Sequence, residues 1–175
     1  MQYVKRRFFA MRNGVIADTL RRGGSKFRII FGLNLPQIID IAREIGPDAR
    51  LAAMLWDNSS TRESRLLAPM LMTPTDFNLT QAMELCHDIT DIEEADIFCH
   101  RFMRRHPEAA AIAELLSREQ EPMMRYVGLR LMFNIVSKCP TEAKEMALRL
   151  SDSTPGFVHS LAVRLLDEAE FLIEQ

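Results

Sequence analysis

Residues 31–72 read FGLNLPQIIDIAREIGPDARLAAMLWDNSSTRESRLLAPMLM, and three helices parse out of them. Pro36 suits the first turn of a helix, where its missing N–H costs nothing. Ile38, Ile39, Ala42 and Ile45 follow at the spacing of one helical face. Gly46-Pro47 breaks that helix, and residues 48–57 form the next, closing on Leu55-Trp56. Ser60 with Glu63 has the spacing of a capping box, which predicts the start of a third helix. Pro69 falls inside the pattern of that third helix and predicts a kink or an early end, because it removes a backbone donor.

The same helical period continues outward in both directions. Residues 2–11 and 14–22 read as helices, stopped by Gly23-Gly24. A loop at Thr73-Pro74-Thr75-Asp76 precedes helices near 79–88, 91–105 and 108–118, with Thr90 and Glu93 as a second capping box. Residues 122–137 are apolar on most sides, which predicts a central helix. Cys139-Pro140 ends it, and helices at 141–151 and 155–173 complete the chain, with Thr154-Pro155 as cap and first helical position. About eleven helices, short loops and no convincing strand make the chain all-α. Its 175 residues read as one domain, 1–175. Periodicity alone allows stacked helical pairs or a compact bundle.

The net charge of −2 is unevenly placed. Residues 1–28 hold Lys5, Arg6, Arg7, Arg12, Arg21, Arg22, Lys26 and Arg28 against the single acid Asp18, a balance of +7, which leaves −9 on the remainder. Such asymmetry marks either an anionic partner at the basic end or an ordinary solvated face. Cys86, Cys99 and Cys139 are odd in number and lack framework spacing, which argues against a secreted disulfide fold. No apolar run has the length of a membrane span. The short Phe8-Phe9-Ala10-Met11 run is too small for a signal-peptide core, so the expected location is the cytoplasm.

Three elements of residues 31–72 occur in a specific order. F-G-x-x-x-P opens a helix, Leu55-Trp56 closes the next, and E-x-R-x-L-A spans Glu63 to Ala68. This order resembles the DNA alkylation repair family, DNA glycosylases built from HEAT-like helical pairs. The resemblance runs from about Phe27 to Phe171 and is most specific over 31–72. It implies an all-α superhelix of the HEAT-like or armadillo type, a helical-pair solenoid. It also implies a site with an acid, an arginine and two tryptophans. The W-x-x-x-D element falls on Ile92-Glu93-Glu94-Ala95-Asp96, so Asp96 matches the catalytic acid and Ile92 stands at a tryptophan position. Arg125, in Met124-Arg125-Tyr126-Val127-Gly128, matches the arginine. Arg164 falls near the second tryptophan position, and Trp56 matches a structural Leu-Trp element.

The chemistry implied is hydrolysis of the N-glycosidic bond of alkylated purines in duplex DNA. An N7- or N3-alkylated purine is already cationic and leaves without a general acid. A carboxylate stabilises the positive charge developing on the sugar and orients water. An arginine anchors a flanking phosphate, and aromatic faces favour the cationic base. Each residue also has a purely structural reading. Asp96 sits in an acidic helix start and can pair with His100; Arg125 can pair with Glu121, and Arg164 with Glu168. The dipeptides Cys86-His87 and Cys99-His100 match no zinc spacing, and neighbouring helical residues diverge by about 100°. No metal or cofactor is expected.

Two functions remain open on this reading. One is a DNA glycosylase of weak or absent activity, with Asp96 and Arg125 as its catalytic residues. Its DNA contacts would be Lys5, Arg6, Arg7, Arg21, Arg22, Lys26, Arg28 and Arg164. The other is a non-catalytic helical-repeat module that binds protein or nucleic acid.

Overall fold

In a computed structural model the described residues, 1–152 and 156–175, form eleven α-helices and no strand. The chain is all-α, as its periodicity requires. The proposed cap at Thr154-Pro155 lies outside the described residues. The chain divides into two compact units, Met1–Thr73 and Pro74–Gln175. Among the described residues no helix is long and apolar enough to cross a membrane.

The first unit holds α1 (Gln2–Ala10), α2 (Gly14–Arg22), α3 (Leu35–Ile45), α4 (Ala49–Trp56) and α5 (Arg62–Leu71). Helix α5 packs against both α3 and α4. The segment between α2 and α3 is extended and bridges to the start of α5, where Ile29 N–H donates to Ser60 O (2.9 Å) and Arg62 N–H to Ile29 O (3.0 Å). Its backbone is held by Glu63. That carboxylate, fully buried, accepts from the amides of Phe31 (3.0 Å), Gly32 (2.9 Å) and Leu33 (3.3 Å), and from Arg62 Nη1 (3.0 Å). Gly32 has φ +82°, and a Cβ there would lie 2.1 Å from Asn13 O, so only glycine fits.

This geometry corrects the capping-box expectation. The N-cap of α5 is Thr61, and Glu63 turns into the core. Ser60 Oγ donates to Asn58 (3.3 Å) instead. Pro69 sits in the last turn, and α5 ends two residues later at Leu71, consistent with the missing donor.

Trp56 is buried at 3% exposure. The Arg65 guanidinium lies 3.5 Å from its ring centroid and donates to Trp56 O (2.7 Å). The E-x-R pair of α5 therefore serves packing: the glutamate fixes a loop, the arginine a tryptophan. Trp56→Ala is expected to destabilise the protein by about 3–5 kcal/mol, measured by urea denaturation. A loss under about 1 kcal/mol would mean that the ring contributes little packing.

The second unit opens with a 3-10 turn at Pro74–Asp76. It continues through α6 (Leu79–His87), α7 (Ile92–Arg101), α8 (Ala109–Ser117), α9 (Pro122–Ile135), α10 (Pro140–Leu150) and α11 (Gly156–Ile173). Successive helices α8 and α9 pair closely, as do α10 and α11. The apolar α9 is central as expected, packing against α7, α8, α10 and α11. Its approach to α8 depends on Gly128, where a Cβ would lie 2.7 Å from both Ala113 O and Ser117 N. The second capping-box expectation also shifts by one residue: Asp91 caps α7 by accepting from Glu93 N.

Candidate functional site

The site is built by α7, α9 and α11 of the second unit. On α7, Asp96 and His100 are one turn apart and so share a face. On α9, Tyr126, Arg130 and Asn134 recur every fourth residue. The two faces meet as a ladder. Tyr126 Oη donates to Asp96 Oδ1 (2.8 Å), and His100 Nδ1 meets Asn134 Oδ1 (3.2 Å). Arg130 Nε lies 2.9 Å from the same Asp96 oxygen. Its N–H is not aimed along that line, so the contact is an ion pair rather than a hydrogen bond.

Both contacts fall on Oδ1. The Asp96 side chain remains 32% exposed. This carboxylate is thus oriented through Oδ1 while its side chain stays partly exposed. Tyr126 is itself buried. Burial, and next the neighbouring Asp96 carboxylate, push its phenol well above the usual range. Tyr126 therefore stays a hydrogen-bond donor at any physiological pH. Phe157 of α11 packs on its ring, with centroids 5.7 Å apart.

Next along α9 is Phe133, approached by two guanidiniums. Arg130 Cζ lies 5.9 Å from the ring centroid and Arg164 Cζ of α11 lies 5.6 Å from it. Both are within cation–π range. Ile92, one turn before Asp96 on α7, is 40% exposed. The two positions matched to tryptophan thus carry an exposed aliphatic side chain and an arginine within cation–π range of a phenylalanine.

The pairings expected from sequence spacing differ from those formed. Asp96 pairs with Tyr126 and Arg130, not with His100. Arg125 is half-buried and its Nε donates to Glu119 O (2.6 Å), while Glu121 caps α9 by accepting from Met124 N (3.0 Å). The arginine that reaches Asp96 is Arg130, not Arg125. Arg164 lies over Phe133, and it makes no ion pair with Glu168 or any other described residue. Tyr126, Arg130, Phe133 and Phe157 escaped the sequence reading. The available signal was the four-residue polar stripe 126-130-134 on an otherwise apolar helix.

The basic candidates near the N-terminus belong to the first unit. Lys5, Arg6, Arg21, Arg22, Lys26 and Arg28 are all exposed. Arg7 is taken up in a pair with Glu44 (2.7 Å), which also accepts from Tyr3 Oη (2.8 Å). Arg21 pairs with Asp18 (2.9 Å), and Arg22 Nε donates to Asp18 O (3.3 Å).

Cys86 and Cys99 are buried, and burial pushes the Cys86 thiol up to about 12 and the Cys99 thiol well above its usual value. Both thiols therefore stay protonated near neutral pH. Their histidine neighbours diverge, His87 to Glu119 (2.9 Å) and His100 to Asn134. Among the described residues no three potential ligands gather at one point.

No curated protein and no solved structure matches this chain. One family does, described as DNA alkylation repair enzyme, and it matches residues 4–175. The match covers both units, including every helix of the Asp96 site and the Glu63–Arg65 core of the first unit, and the chain therefore belongs to the DNA alkylation repair enzyme family.

Proposed function

We propose that the chain is a slow DNA glycosylase that releases cationic alkylated purines from duplex DNA, with Asp96 as its catalytic carboxylate. The observation that carries this reading is the partly exposed Asp96, held through Oδ1 by Tyr126 and Arg130. Tyr126 and Arg130 orient one oxygen. The exposed part of the carboxylate can hold water or stabilise positive charge on the sugar. A cationic purine needs no proton to leave, so a carboxylate and a water suffice.

The rate is expected to be low for two physical reasons. Arg130 offsets part of the Asp96 charge at 2.9 Å. Ile92 and Arg164 supply no aromatic face to the cationic base. Two absent cation–π contacts at about 0.5–2 kcal/mol each correspond to roughly tenfold to a thousandfold in rate. Arg125, hydrogen-bonded at Glu119 O, has the role of a helix-start anchor in this reading rather than that of a partner to Asp96. Lys5, Arg6, Arg7, Arg21, Arg22, Lys26 and Arg28 provide phosphate contacts, Arg7 and Arg21 giving up their pairs with Glu44 and Asp18 to do so.

A second reading, a non-catalytic module that binds nucleic acid or protein, is favoured by the same Ile92 and Arg164 substitutions. Incubation of the purified chain with N-methylated duplex DNA separates the two. Slow release of methylpurine, with duplex binding that weakens steeply as salt rises, supports the glycosylase. A folded protein that releases nothing from several alkylated substrates would leave the binding module.

A further inference from the structure

Among the described residues, Arg164 lies beside the Asp96–Arg130 pair without an anion of its own. Arg130 is committed to Asp96 at 2.9 Å. Arg164 is exposed, one helical turn before Glu168, yet forms no ion pair among the described residues. Its guanidinium instead rests 5.6 Å from the centroid of Phe133, the ring that Arg130 approaches from 5.9 Å. Two guanidiniums converging on one ring repel each other, and Asp96 relieves only one of them. The cluster of Asp96, Arg130 and exposed Arg164 keeps a net charge of +1. The cation–π contact with Phe133 restricts the guanidinium and reduces the entropy lost when its donors are engaged.

We propose that Arg164 is the phosphate-binding element of this site, taking one backbone phosphodiester of the strand beside the nucleotide held at Asp96. The inference rests on the reading of this site as a nucleic-acid site. A guanidinium presents paired N–H donors that match two phosphate oxygens. The Asp96–Arg130 pair is internally compensated, so it opposes an incoming phosphate far less than a lone carboxylate would. Arg164 therefore trades contact with a cationic base for a grip on the backbone. It strengthens binding and does nothing for the departure of the base.

The test uses the full chain and a short duplex carrying one tetrahydrofuran abasic analogue, read by fluorescence anisotropy. Each phosphate within a few nucleotides of the analogue is replaced in turn by a neutral methylphosphonate. The wild type is expected to lose about tenfold in affinity at one of these positions. Arg164→Gln is expected to bind the natural duplex about tenfold more weakly, with a salt slope shallower by about 0.9, and to be indifferent to the methylphosphonate that hurt the wild type. Arg164→Lys keeps the charge and should keep the salt slope. If Arg164→Gln matches the wild type in affinity and slope, or retains the methylphosphonate penalty, the assignment is overturned. Wild type that binds this duplex through Arg164 but releases no alkylated base leaves the phosphate subsite standing and removes only the glycosylase reading. Wild type that binds no duplex at about 50 mM salt overturns both.

Discussion

Glu63→Ala is expected to cost at least about 5 kcal/mol and to leave little folded protein at 25 °C. The substitution strips four hydrogen bonds from one fully buried point: the amides of Phe31, Gly32 and Leu33, and Arg62 Nη1. Each buried donor left without a partner costs about 1–3 kcal/mol. Arg62 also loses its 3.0 Å contact with this carboxylate, although it still donates to Leu33 O (2.9 Å). The expected loss reaches the lower end of a domain's whole stability, about 5–15 kcal/mol. The loop at risk is the one that Gly32 threads past Asn13 O, so the packing of α2 against it fails with the carboxylate. Glu63→Gln keeps the shape and one acceptor oxygen, and its loss should be clearly smaller. Urea denaturation of both variants, followed by far-UV circular dichroism, checks this. A Glu63→Ala loss below about 1 kcal/mol would show that the amides find other partners.

Helix content and most boundaries were legible because the apolar period repeats along the chain and Gly and Pro punctuate it. Both misread caps have a common physical cause. Ser60–Glu63 and Thr90–Glu93 have the local spacing of a capping box, but local spacing competes with long-range demand. Three amides some 30 residues away draw Glu63 inward. At the other site Asp91, one residue later, is the better acceptor for Glu93 N. The Asp96 site was half legible. Asp96 itself stood out by resemblance, while its partners Tyr126 and Arg130 become visible only once α7 is laid against α9. The i,i+4 pairs proposed for Asp96, Arg125 and Arg164 were plausible in an isolated helix. In the folded unit each of these side chains finds a contact outside its own turn.

Asp96→Asn is expected to lower base release by about a hundredfold or more, the scale of removing a group that stabilises transition-state charge. The amide has nearly the carboxylate's shape and can still accept from Tyr126 Oη. Position and packing therefore persist while the negative charge is lost. Arg130, now without its anion, adds an uncompensated positive charge beside the developing cation and deepens the loss. Duplex affinity should not fall, because, if the site faces DNA as proposed, removing a negative charge there favours binding. A defect confined to turnover is thus the signature of an electrostatic role, and a parallel loss of binding would be the signature of a misfolded site. The most direct measurement of this account is the single-turnover rate of methylpurine release from one N7-methylguanine duplex, by wild type and Asp96→Asn at saturating protein. The account predicts slow release by the wild type and release at the spontaneous rate by the variant; robust release that is equal in both would contradict it.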